Sequence, residues 1–154
     1  MIIGDTATNF SLPDQDNQLH SLSSYLGKWV VLYFYPKDDT PGCTKEACSF
    51  RDSYHELQNL GVVILGVSKD SVKSHKKFAD KYNLNFPLLS DESLDIIKAY
   101  GAWGKKNFMG REYDGIFRTT YVINPQSMIA KIYEKVNPLV HVGEIIADLK
   151  HLSG

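Results

Sequence analysis

Residues 29–36, Trp-Val-Val-Leu-Tyr-Phe-Tyr-Pro, form an apolar run that no charged residue interrupts. Its β-branched and aromatic side chains show no polar alternation, so it reads as a strand buried on both faces. Pro36 ends it, because proline brings no N–H to a ladder. A strand of that kind needs a sheet with packed layers on both sides. The remaining chain supplies them. Residues 62–67, VVILGV, read as a second buried strand and 86–89, FPLL, as a short third. The segments 41–59, 71–82, 93–101 and 141–152 carry helical periodicity. Residues 118–123 and 128–133 flank Asn124-Pro-Gln-Ser127 as an antiparallel hairpin, and an N-terminal hairpin is expected around Phe10 and Leu19. Residues 102–115 contain three glycines and no clean period, and read as the longest loop. Alternation of strands and helices implies an α/β fold with a mixed central sheet in a single domain, residues 1–154.

Charge and composition remove several function classes. Seventeen Lys and Arg against eighteen Asp and Glu leave a net charge of -1, which is no footprint for nucleic acid and no polybasic membrane anchor. No apolar run approaches the roughly 20 residues of a membrane span. The N-terminus lacks the pattern of a signal peptide, so a cytoplasmic location is expected. In that compartment the two cysteines are not expected to form a structural disulfide. The five histidines are scattered, with only His55 near the cysteine pair, so no metal site is expected. The lysines of 71–82 read as a solvated face.

Chemistry concentrates in Tyr33–Asp52, YFYPKDDTPGCTKEACSFRD. Thr40 suits a helix N-cap and Pro41 the first helical position, which puts Cys43 in the first turn. Backbone N–H groups there have no intrahelical partner, and the helix dipole is positive, so the Cys43 pKa is expected to fall. Loops beyond the carboxyl ends of sheet strands are where open α/β proteins bind ligands. Cys43, Ala47, Phe50, Tyr54 and Leu57 form one apolar stripe. Cys48 lies about 140° round the helix from Cys43, with Cα atoms roughly 8.7 Å apart. That exceeds the ~7 Å reach of a disulfide. Either the pair never bonds, or the helix unwinds for it to bond.

Cys–His hydrolysis would need a base that no histidine supplies from the sequence, and thioredoxin-type exchange uses Cys-x-x-Cys rather than Cys-x4-Cys. Asp38-Asp39-Thr40 does not have the Asp-x-Asp order of an aspartyl phosphatase, and two turn aspartates account for it. Peroxide reduction asks for a stabilised thiolate, donors to polarise the O–O bond and a resolving thiol, and these residues fit it. Glu46 and Arg51 either reach the pocket mouth or form a solvated face.

Pro36-x3-Thr40-x2-Cys43 resembles the active-site motif of peroxiredoxins. Its continuation, CTKEACSFRD from Cys43 to Asp52, is similar to the bacterioferritin-comigratory protein (PrxQ) branch. GDTATNFSLPDQDN near the N-terminus and GIFRTTYVIN at 115–124 extend the likeness over the whole chain. The resemblance implies a thioredoxin-like fold and a peroxidase acting on hydrogen peroxide and organic hydroperoxides. It makes Cys43 the peroxidatic nucleophile and Cys48 the resolving thiol, joined in an intramolecular disulfide. It further implies that Thr40 hydrogen-bonds thiolate and peroxide, Pro36 shapes the pocket and Arg118 supplies a cation. A cation beside Cys43 would also favour its thiolate and charge on the leaving oxygen. A thioredoxin or similar dithiol would be the reductant, the chain would be a monomer, and no metal, flavin or haem would be needed. Lys105–Gly110 receives no role. Two alternatives have distinct signatures: a general thiol–disulfide oxidoreductase would act on protein disulfides without peroxide. A copper-handling or binding module would carry Cys-x3-Cys with a distal histidine, which this chain lacks.

Overall fold

The computed structural model describes residues 1–153. The apolar run becomes strand β3 (Trp29–Phe34), buried from Val30 onward. It lies in the middle of a five-stranded sheet, parallel to β4 (Val62–Ser68) on one side and antiparallel to β8 (Thr119–Ile123) on the other. β5 (Leu88–Ser90) and β9 (Ile129–Tyr133) complete the order β5-β4-β3-β8-β9. The sheet is thus mixed, as in the thioredoxin-like arrangement expected from the resemblance, with the N-terminal hairpin β1 (Ser11–Pro13) and β2 (Leu19–Ser21) beside it.

Successive strand side chains point to opposite faces, so the run serves two cores. Val30, Leu32 and Phe34 pack with Leu65, Val67 and Ile123 under the N-terminal segment and helix α4 (Asp95–Ala99). Val31, Tyr33 and Tyr35 face the opposite layer, built from α1 (Pro41–Asp52), α2 (Tyr54–Asn59), α3 (Val72–Tyr82) and α5 (His141–Ser153). Tyr33 pairs with Gly66 across the parallel ladder, and a Cβ at Gly66 would lie 2.8 Å from the Tyr33 ring. Glycine there lets the ring lie over the neighbouring strand.

Two expectations are corrected. The helix expected over 41–59 is interrupted at Ser53, whose φ of -97° and ψ of 7° separate α1 from α2. Ser favours such local departures from the helix, while the apolar stripe stays inward on both sides of the bend: Phe50 and Leu57 are buried and Tyr54 is half-buried. The expected loop 102–115 is a second hairpin, β6 (Trp103–Phe108) and β7 (Arg111–Ile116), closed by Met109 and Gly110 at φ 52° and 80°. Positive φ at both turn positions matches the twist of the flanking strands. Most of its residues are exposed, so neither face had to be apolar and no two-residue period was visible. Among the described residues no helix is long and apolar enough to cross a membrane.

Candidate active site

The carboxyl end of β3 leads into the loop Pro36–Thr40 and then into α1. Tyr35 N–H still donates to Val67 O at 3.1 Å, and the ladder stops at Pro36. Thr40 holds the extended N-cap conformation and Pro41 opens the helix. The Thr40 hydroxyl, however, does not cap α1: it donates to Lys37 O at 2.9 Å, within the loop. Cys43 stands in the first turn and is 1% exposed.

Arg118 immediately precedes β8, the antiparallel neighbour of β3, and this adjacency carries it to the start of α1. Its Nη2 donates to Cys43 Sγ at 3.0 Å, and its Nη1 lies 3.4 Å from Glu46 Oε1. Cys43 and Glu46 are one helical turn apart, so one guanidinium spans both. Glu46 is buried, and burial pushes its carboxyl up to about 7 against the opposing pull of Arg118. Its second oxygen has no hydrogen-bond partner among the described residues and lies 4.0 Å from His141 Nε2. That nitrogen shares a 2.7 Å hydrogen bond with Thr120 Oγ1. Burial pulls His141 down to about 4, so the ring is neutral at pH 7 and does not form an ion pair with Glu46.

Glu46 therefore joins the Cys43–Arg118 cluster. Arg51 does not: it donates to Tyr82 O at 2.6 Å and pairs with Asp52. Both cysteines are free thiols, with Cys48 half-buried in the same unbroken helix. His55 is exposed. Gly42, to which the sequence motif assigns no role, also shapes the site. A Cβ there would lie 2.8 Å from Arg118 Nη2 and 3.4 Å from its Cζ. The available signal was a glycine in the first turn of a helix, where it costs stability unless something approaches the backbone.

One cluster near the loop has metal-ligand chemistry, Asp38, Asp70 and His75, with ligand atoms within 4.8 Å of one another. Each is engaged by protein. Asp38 Oδ2 accepts from His75 Nδ1 at 2.7 Å, and Asp70 Oδ2 accepts from Asp38 N at 2.9 Å and Ser68 Oγ at 2.7 Å. A metal would have to displace a completed hydrogen-bond network.

Residues 3–132 match the AhpC/TSA family. The chain is 49% identical over 147 residues to a putative peroxiredoxin bcp of Coxiella burnetii, covering 96% of this chain and 97% of that protein. It is 44% identical over 151 residues to peroxiredoxin Bcp of Bacillus subtilis, covering 98% and 96%. Among solved structures, PrxQ of Xylella fastidiosa, as a cysteine-to-serine mutant, superposes with a TM-score of 0.95 at 35% identity, covering 100% of this chain and 98% of that one. A bacterioferritin comigratory protein of Xanthomonas campestris gives 0.90 at 36% identity, covering 94% and 92%. A buried thiol at a helix start, met by an arginine from the adjacent strand, occurs here in a chain that matches these proteins over nearly its whole length. The chain belongs to the AhpC/TSA family and, within it, to the Bcp/PrxQ peroxiredoxins, thiol peroxidases recycled by thioredoxin-type reductants.

Proposed function

We propose that Cys43 is the peroxidatic nucleophile and that Cys48 resolves it within the same chain. The Cys43 thiolate attacks one oxygen of hydrogen peroxide or an organic hydroperoxide. The O–O bond breaks, water or an alcohol leaves, and Cys43 becomes a sulfenic acid. The start of α1 unwinds, the Cys48 sulfur attacks that of Cys43, and water leaves as the disulfide forms. A thioredoxin-type dithiol returns the two electrons. The observation that carries this reading is the 3.0 Å hydrogen bond from Arg118 Nη2 to Cys43 Sγ in the first turn of a helix. A cation beside the sulfur, and the N–H groups of a helix's first turn, which have no partner within the helix, stabilise charge on the departing oxygen.

In this reading Pro36 shapes the loop and excludes water from the sulfur. Thr40, with its proton committed to Lys37 O, keeps its oxygen lone pairs as an acceptor for a peroxide proton. The resemblance to the PrxQ branch suits a monomer acting as one domain. A cytoplasmic setting suits a cycle in which the disulfide is an intermediate. The test is mass spectrometry after one equivalent of hydrogen peroxide. We expect loss of two hydrogens as an intramolecular 43–48 disulfide in the native chain, trapped sulfenic acid in Cys48→Ser, and no peroxide consumption in Cys43→Ser. A Cys43→Ser protein that still consumed peroxide would overturn the assignment.

A further inference from the structure

Asp38 is the middle residue of the loop Pro36–Thr40, yet it is 7% exposed, and the mechanism above gives it nothing to do. Its carboxylate accepts three side-chain hydrogen bonds. Tyr35 Oη donates to Oδ1 at 2.6 Å, and His75 Nδ1 and Ser74 Oγ donate to Oδ2 at 2.7 and 2.8 Å. Its backbone N–H donates to Asp70 Oδ2 at 2.9 Å. His75 is fully buried, and its Nε2 donates to Leu89 O at 3.0 Å. Since a carbonyl can only accept, Nε2 carries a proton, and the Asp38–His75 pair shares one more between Nδ1 and Oδ2. One loop residue is thereby fastened to the end of β3, to the β4–α3 turn, to α3 and, through His75, to β5.

The position of this fastening matters because of what stands beside it. Thr40 is two residues along, and its hydroxyl is tied to Lys37 O on the near side of Asp38. Asp39, between them, has a φ of 55°, a left-handed conformation that an unconstrained aspartate adopts only at a cost. The outer side of the loop has only exposed bonds, from Lys81 and Tyr82 to Asp39. The buried network is therefore the loop's inward fastening, and Thr40, whose carbonyl accepts from Thr44 N–H at 2.8 Å, joins it to the first turn of α1. A fully satisfied buried network is rigid, and one missing partner leaves an uncompensated buried group.

We propose that Asp38, oriented by His75, is a positioning residue of the peroxidase site: it holds the Thr40 loop in register with Cys43 for attack on the peroxide. This rests on the reading of Cys43 and Thr40 given above. The pair acts on the peroxide step and not on resolution, since the start of α1 has already unwound when Cys43 meets Cys48. Misplacement of reacting groups by about 1 Å can cost on the order of a hundredfold in rate.

The experiment is stopped-flow reaction with hydrogen peroxide, following the peroxide-dependent first phase and the peroxide-independent second phase. His75→Leu removes the donor to Asp38 and should slow the first phase by at least about tenfold, with the second phase within about threefold of native. His75→Asn puts an amide N–H where Nδ1 stands and should restore most of the first-phase rate. Tyr35→Phe, which keeps the ring and drops one donor, carries the same test if His75→Leu does not fold. A merely structural role predicts both phases falling together with thermal stability, and no recovery in His75→Asn. Either that pattern, or a first phase unchanged in a folded His75→Leu or Tyr35→Phe protein, overturns the proposal. A native protein with no peroxide-dependent phase would instead strike the reading of Cys43 itself, which separates the two failures.

Discussion

Arg118 reaches Cys43 Sγ with one terminal nitrogen, at 3.0 Å, and Glu46 Oε1 with the other, at 3.4 Å. The thiol and the carboxyl are thereby coupled through a single guanidinium although no hydrogen bond joins them directly. Arg118→Ala removes the charge and should lower the peroxide rate constant by about 10²–10³, the usual loss for a donor to a developing anion. Arg118→Lys keeps the charge but not the fork, and should fall between that and native. Rate constants at several peroxide concentrations decide it; equal activity in all three proteins would remove Arg118 from the reaction.

Gly42 makes room for that fork. Gly42→Ala would place a methyl 2.8 Å from Arg118 Nη2 and push the guanidinium off Cys43. Alanine is the better helix former by about 0.5–1 kcal/mol. The variant should therefore lose roughly tenfold in peroxide rate while its thermal midpoint stays level or rises. A parallel drop in both would mean that the methyl disrupts the helix start instead.

Glu46 and His141 should pull stability in opposite directions with pH. The Glu46 carboxyl is raised from 4.5 to about 7, so the folded state holds a proton that the unfolded chain releases. Its contribution is complete below about 4.5 and disappears as pH rises through about 7. His141 is lowered from 6.5 to about 4, so its neutral folded form contributes fully above 6.5 and loses that contribution as pH falls toward about 4. Each amounts to a few kcal/mol, and between about 4.5 and 6.5 they offset. Glu46→Gln, a mimic of the protonated carboxyl, should expose the His141 slope, with stability rising from pH 4 to 6.5. His141→Gln should show the reverse slope up to about pH 7. Denaturant midpoints across that range measure both, and parallel curves for native and Glu46→Gln proteins would count against a raised Glu46.

Formation of the Cys43–Cys48 disulfide should melt part of α1. Both thiols are free within the one helix Pro41–Asp52, and five helical residues hold their Cα atoms about 8.7 Å apart, beyond disulfide reach. The oxidised protein should lose amide-exchange protection across residues 41–52 while β3 and β4 stay protected. An oxidised protein with that helix still protected would point to an intermolecular disulfide or an external thiol.

The elements most legible in the sequence were those in which one residue's neighbours along the chain dictate its environment. The apolar run 29–36 could only be an interior strand, and Thr40-Pro41 could only open a helix that presents Cys43 in its first turn. The β6–β7 hairpin was not legible because most of its residues are exposed, which leaves little periodic contrast to read. The break at Ser53 was hidden by an apolar stripe that runs through it, since burial repeats alike on both sides of the break.

By itself, then, the sequence determined the strand–loop–helix unit, the place of both cysteines on α1 and the distance that keeps them apart, because each follows from local geometry. Tertiary structure decided what surrounds the sulfur. Arg118 lies 75 positions from Cys43, and it arrives only because β8 pairs antiparallel with β3 and starts where β3 ends. Asp38 and Glu46 could each have been solvated surface groups. Their burial depends on α3 and α5 packing over them, and a carboxylate's partners come from folds of the chain that no local pattern encodes.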